Sequence, residues 1–170
     1  MTSPIYITQG EDAVGADPDM VITTILGSCI SICLWDSVAG VGGMNHLLLP
    51  SMRAKGDPMN TAGAVAMDRL VNEMVHLGAQ RPRLRAKLFG GSSMLQGRTD
   101  IGARNAQFGQ TYLKAEGIPC DVVNVGGSKA RKLRFFPATG VVQMKLVEQA
   151  PALAPAKKEA ANDVELFWSA

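Results

Sequence analysis

Histidine and cysteine are scarce in this 170-residue chain, with two of the first and three of the second. Candidates for acid–base or nucleophilic work therefore reduce to His46, His76, Cys29, Cys33 and Cys120. An odd number of cysteines argues against a disulfide framework and suits a reducing compartment. Zinc-type spacings are missing: Cys29 and Cys33 share one apolar run and no second ligand pair follows, so neither a metal nor a cofactor is expected. Aromatics make up 5% of residues, with two Trp and two Tyr, and the net charge is only +2. That leaves too few stacking surfaces and too weak a positive field for a nucleic-acid binder. Apolar runs such as Ile30 to Trp35 fall far short of the ~20 residues that span a bilayer, so no membrane insertion is expected. The opening Met1-Thr2-Ser3-Pro4 has no basic region and no long apolar stretch after it. No secretory signal is read there, and the expected location is the cytoplasm.

What is present is an ordinary globular composition, 46% hydrophobic and 19% charged, in a chain long enough for one domain with a real core. Residues 1–148 read as that domain. From 149 an Ala/Pro/Lys tract, Ala150 to Lys158, reads as a linker. It ends in an aromatic tail, Val164-Glu165-Leu166-Phe167-Trp168, which packs back or docks elsewhere. Within the domain, β-like runs cover Ile5 to Thr8, Met20 to Leu26, Cys29 to Trp35 and Val41 to Leu48. Asp36 to Gly40 connects the last two as a hairpin. Met67, Leu70, Val71, Met74 and Leu77 recur at helical spacing and predict a helix from about Asn60 to Leu77, capped by Asn60 or Thr61 and stopped at Gly78. The alternation from Arg83 to Leu88 predicts a half-buried strand that ends at Gly90-Gly91. A second helix is expected from Ile101 to Glu116, then strands over 121–125, 131–136 and 140–147. The fold class is α+β: a single layered α/β domain, strand-rich, with two main helices.

The hairpin brings two scarce residues together. With Trp35 opposite Gly40, counting back along both strands puts Cys29 opposite His46. Directly opposed Cβ atoms lie roughly 4.5–5.5 Å apart, so thiol and imidazole would touch. A one-residue slip in register would send them to different faces. The chemistry of such a pair is plain: the thiolate is the nucleophile, and a neighbouring imidazole takes its proton and then stabilises the anion. Gly27-Ser28-Cys29 reads as a tight turn whose backbone N–H groups would hold an oxyanion. Thr23, on the preceding strand, can return across that turn and hydrogen-bond the ring, fixing its tautomer. The alternative is structural, since unpaired cysteine is among the most buried residue types. Cys33 and Cys120 are read as core, and His76 as a helix C-terminal residue favoured by the dipole.

Five ordered blocks extend the reading. They are Thr23 to Cys29; Val41 to Pro50 (Val-Gly-Gly-Met-Asn-His-Leu-Leu-Leu-Pro); Lys87 to Met94 (Lys-Leu-Phe-Gly-Gly-Ser-Ser-Met); Ile101-Gly102-Ala103-Arg104-Asn105; and Gly126-Gly127 with Arg131 and Thr139-Gly140. In order and spacing they resemble the CheD family, across residues 3 to 147. The resemblance implies a fold shared with toxin-like cysteine deamidases. It also implies hydrolysis of glutamine side-chain amides on chemotaxis receptors to glutamate and ammonia. Cys29, His46 and Thr23 match the family's cysteine, histidine and threonine, while Thr24 is given no role. Ser92 and Ser93 are expected to line the cleft beside Ser28 and Gly27, as oxyanion or substrate contacts. Glutamyl methyl esters carry the same acyl centre, so esterase activity is expected too. The implied partners are the receptors themselves and a CheC-type phosphatase.

Two other readings stand beside this one. The pair can serve a thiol hydrolase of another amide or ester, because the acyl chemistry is shared. The chain can also be a non-enzymatic adaptor of the chemotaxis system, although nothing in binding demands Thr23, Cys29 and His46. Two basic stripes remain: Arg81, Arg83, Arg85 and Lys87, read as a solvated strand face, and Lys129, Arg131, Lys132 and Arg134. Either would attract acidic receptor helices.

Overall fold

Alternation with both faces apolar is the organising feature of the strand Ile30–Asp36. Ile30, Ile32 and Leu34 belong to one apolar cluster, whereas Cys33 and Trp35 belong to another. A strand that buries both faces must lie between two layers. The computed structural model, which describes residues 3–49, 62–93 and 100–148, bears this out.

In chain order the elements are β1 (Ile5–Tyr6), β2 (Asp12–Gly15), β3 (Ile22–Leu26), β4 (Ile30–Asp36), β5 (Val41–Asn45), α1 (Ala62–His76), β6 (Arg85–Gly90), α2 (Asp100–Ala115), β7 (Cys120–Val125), β8 (Ala130–Phe136) and β9 (Val141–Val147). A five-stranded sheet runs β2-β5-β4-β6-β7 and a four-stranded sheet runs β1-β3-β8-β9. Met67, Leu70, Val71 and Met74 of α1 and Phe108, Tyr112 and Leu113 of α2 pack on the outer side of the five-stranded sheet. Each fully buried side chain of this kind contributes about 1.5–3 kcal/mol. Ile22 and Leu26 of β3, Met44 of β5, Phe89 of β6 and Leu133 and Phe135 of β8 fill the gap between the sheets. The layers are therefore helices, sheet, sheet: the expected α+β domain. Residues 60 and 61, read as caps of the first helix, and the linker and tail from 149 lie outside the described residues.

Three differences from the sequence reading have physical causes. The hairpin turn falls one residue later at each end, with Asp36 paired to Val41. The Asp36 carboxylate accepts the N–H groups of Val38 (3.0 Å) and Ala39 (3.1 Å), so the turn forms after the aspartate. The strand expected from Arg83 starts at Arg85 instead, because Pro82 sits in a 3-10 turn over Arg81–Arg83 and has no N–H for a ladder. Finally, β2 is a short edge strand, paired with β5, that periodicity did not reveal.

The first basic stripe is not a plain solvated face. Arg83 Nε bonds the buried Asp36 carboxylate at 3.0 Å, and Arg85 pairs with Asp121. Lys87 donates to Gly140 O at 2.8 Å, its ammonium 5.0 Å from the centre of the Trp35 ring.

Candidate functional site

The chain crosses from the four-stranded sheet to the five-stranded one between β3 and β4, and Gly27-Ser28-Cys29 is that crossing. All three residues are half-buried. Cys29 is not in a disulfide, and it packs against the inter-sheet cluster that also holds Cys33. The crossing is clamped on three sides. Gly27 O accepts from Ser92 N at 3.0 Å and Cys29 O accepts from Gly91 N at 2.9 Å. Asn105 of α2 donates to Ser28 O at 2.8 Å and accepts the N–H of Leu49 at 3.1 Å. One buried amide thus ties the cysteine turn to the segment that leaves His46.

Glycine at 90 is required by this clamp. Its φ is +110°, and a Cβ there would stand 2.2 Å from Cys29 O. Gly102 lets the first turn of α2 approach the same loop, since a Cβ would meet Ser92 O at 2.4 Å. Two of the sequence blocks, the Gly-Gly-Ser-Ser loop and Ile101 to Asn105, are therefore bracing for the crossing.

His46 follows β5 directly and is 7% exposed. Its N–H donates to Glu11 O at 3.0 Å, and its carbonyl accepts from Gly10 N at 2.9 Å. The register corrects the sequence reading here. Cys33 pairs with Met44 and Ile30 with Leu47, so the residue opposite His46 is Ser31 rather than Cys29. The shift is even, which preserves faces. Cys29 and His46 thus share the inter-sheet side as diagonal neighbours, where long side chains still meet.

The hydroxyl that holds the ring belongs to Thr24. Thr24 Oγ1 lies 2.7 Å from His46 Nδ1 and also donates to Ile7 O at 2.7 Å. Thr23, expected in this role, is fully buried and donates to Leu133 O at 2.7 Å. Strand alternation is the reason: Thr24 shares the inter-sheet face with Ile22 and Leu26, and Thr23 points the other way. A proton count then assigns the tautomer. The Ile7 carbonyl has no hydrogen, so the single Thr24 hydroxyl proton lies on that bond. Nδ1 must then be the donor to Thr24, and Nε2 is left as the basic nitrogen.

Ser92 and Ser93 are not arranged as cleft residues. Ser92 is fully buried; its hydroxyl lies 2.7 Å from Lys129 O and accepts from Arg131 Nη1 at 2.7 Å. Ser93 is exposed, with its N–H on Gly127 O at 2.8 Å. Arg131, 5% exposed, also bonds Asn124 Oδ1 at 2.9 Å. Burial lowers the pKa of Arg131 from its ordinary value. Part of the second basic stripe is therefore internal scaffolding for the loops behind Cys29.

The other two thiols are poor nucleophiles. Burial pushes Cys33 far above the ordinary thiol range, and burial likewise raises Cys120. His76 is exposed at the end of α1, its Nδ1 2.9 Å from Asn72 O. Sequence reasoning missed Asn105 and Thr24. Asn105 stood inside a quoted block without a role, and for Thr24 the strand period was the available signal.

A cysteine outside any disulfide and a threonine-anchored imidazole share the inter-sheet side, residue types that are able to carry nucleophilic acyl transfer. Comparison with known proteins is specific. A family model described as CheD chemotactic sensory transduction matches residues 48–146. Relatives named probable chemoreceptor glutamine deamidase CheD align over nearly the whole chain. The one from Caulobacter vibrioides is 44% identical, covering 96% of this chain and 92% of its own. That from Caulobacter sp. strain K31 is 46% identical with the same coverage. That from Agrobacterium fabrum is 42% identical over 96% of each chain. The chain belongs to the CheD family. Among solved structures, a Neisseria meningitidis protein aligns at 10% identity with a TM-score of 0.46, covering 74% of this chain and 64% of its own.

Proposed function

We propose that this protein hydrolyses the side-chain amide of glutamines on chemotaxis receptors, with Cys29 as nucleophile and His46 as base. The observation that carries the reading is the Thr24–His46 hydrogen bond, which leaves Nε2 basic on the face that Cys29 shares. The naming of the relatives as chemoreceptor glutamine deamidases supplies the substrate class.

The reaction has two halves. His46 Nε2 takes the thiol proton, and the Cys29 thiolate attacks the carboxamide carbon, forming the C–S bond. Backbone N–H groups of Ser28 and Cys29 receive the oxyanion. The imidazolium returns its proton to the nitrogen as the C–N bond breaks, releasing ammonia and leaving a thioester. His46 then takes a proton from water, whose oxygen attacks the thioester carbon. The C–S bond breaks, the imidazolium proton passes to the Cys29 sulfur, and the new carboxylic acid leaves and ionises to glutamate. A glutamyl methyl ester enters the same sequence with methanol as leaving group. On this reading the reaction is cytoplasmic, and a CheC-type phosphatase is a partner to test by co-purification.

The test is mass spectrometry of a receptor cytoplasmic fragment incubated with wild type or with Cys29→Ala. A gain of about one dalton per converted glutamine, seen only with wild type, is expected. Equal gain with Cys29→Ala would remove Cys29 from the mechanism.

A further inference from the structure

The outer face of the four-stranded sheet is made by alternate residues of its strands. Tyr6, Thr23 and Arg134 stand in register across β1, β3 and β8, and Ile25, Lys132 and Lys145 across β3, β8 and β9. Phe136 shares the face, with the Arg134 guanidinium 5.7 Å from the centre of its ring. The two helices lie elsewhere: α1 packs on β2 and β5, and α2 on β4 and β6, all in the other sheet. A sheet face with no helix on it should be wet. Yet Thr23 is 0% exposed and Lys132 is 7% exposed.

Lysine is almost never buried without a counter-charge. Lys132 also sits directly opposite Lys145, where like charges repel. Burial, and after it Lys145, lowers the pKa of Lys132. An anion laid across this face relieves both costs, and the strands β1, β3, β8 and β9 contain no Asp or Glu to supply it. The cover must bring negative charge for the lysines and apolar surface for Tyr6, Ile25 and Phe136.

A segment further along the chain has that chemistry. Asp163-Val164-Glu165-Leu166-Phe167-Trp168 joins two carboxylates to four apolar side chains. It follows β9, the edge strand that carries Lys145. Asp163 is fifteen positions beyond Glu148, and a flexible tether of that length has a root-mean-square reach of about 20 Å. Four strands spaced roughly 4.8 Å apart make a face about 15 Å wide, within that reach. A tethered segment is also present at an effective concentration of order millimolar, well above that of a separate molecule.

We propose that the outer face of the four-stranded sheet is the docking surface of the chain's own segment 163–168. Its carboxylates lie against Lys132, Arg134 and Lys145, and its apolar side chains against Tyr6, Ile25 and Phe136. Docking covers β3 on the side away from Thr24 and His46.

The experiment is acetylation of the full chain with N-hydroxysuccinimidyl acetate, followed in time by peptide mass mapping, at low and at high protein concentration. Lys114, exposed on α2, is the internal reference. Wild type is compared with two double variants, Phe167→Ser with Trp168→Ser and Asp163→Asn with Glu165→Gln. Lys132 should react about tenfold faster in each variant than in wild type, the protection that about 1.4 kcal/mol of docking provides. Lys114 should react alike in all three. An unchanged Lys132 rate in either variant overturns the assigned contacts. Lys132 reacting as fast as Lys114 in wild type overturns the docking altogether. Protection that appears only at high protein concentration overturns docking within one chain and gives the face to a second copy.

Discussion

The two adjacent threonines of β3 allow a decisive comparison, because each can become valine with almost no change of shape. Thr24→Val deletes a hydroxyl that accepts from His46 Nδ1 and donates to Ile7 O. Both partners are buried, at 7% and 4% exposure. Each polar group left unpaired in such a place costs about 1–3 kcal/mol. After local relaxation a loss of about 2–4 kcal/mol is expected, read as a fall in the urea midpoint. The effect on turnover is separate. Without the threonine oxygen the imidazole is free to carry its proton on Nε2, the nitrogen that must be basic. General-base catalysis contributes about 10²–10⁴-fold, so kcat should fall at least about a hundredfold. Thr23→Val loses one bond, to Leu133 O, on the opposite face. It should cost about 1 kcal/mol and leave kcat within about twofold. Initial rates of ammonia release from a receptor fragment, with urea titrations in parallel, measure both. A hundredfold loss in Thr23→Val beside near-normal turnover in Thr24→Val would refute the orientation argument.

Asn105→Leu removes the amide that joins Ser28 O to Leu49 N. A stability loss of about 2 kcal/mol is expected, with roughly tenfold slower deamidation from a loosened cysteine turn. Gly90→Ala forces a methyl against Cys29 O at a positive φ, and it should cost more than about 3 kcal/mol and abolish turnover. Asp36 is fully buried, and burial alone would raise its carboxyl. Hydrogen bonds from Gln80 N, Ala39 N and Arg83 outweigh this and hold it below the usual carboxylate range. A depressed carboxyl stabilises the fold above the unfolded value of about 3.9, and the gain is lost as pH falls through the folded value. Asp36→Asn should therefore lower the neutral-pH urea midpoint and flatten its decline below about pH 4.

The residue types and their order carried much of this protein. Both main helices, the strand-rich class and the pairing of β4 with β5 follow from apolar periodicity and from the glycine and aspartate punctuation around 36–40. Cys29 and His46 stood out as candidates because the chain offers so few alternatives. The two-residue difference in hairpin register did no harm, since a period of two returns each side chain to its own face. Other features depended on contacts distant in sequence. Lys87 was read as surface, yet it reaches Gly140 O across the two sheets. Ser92 was read as cleft, yet it is locked by Lys129 O and Arg131.

Thr24 shows the division most clearly. Either threonine can approach a ring that lies 22 positions further along the chain. Sequence alone determined that a thiol, an imidazole and a hydroxyl would come to neighbouring positions near the end of β3. Which hydroxyl met the ring was decided by the stacking of the two sheets, because only the packed layers define which face of β3 is inside.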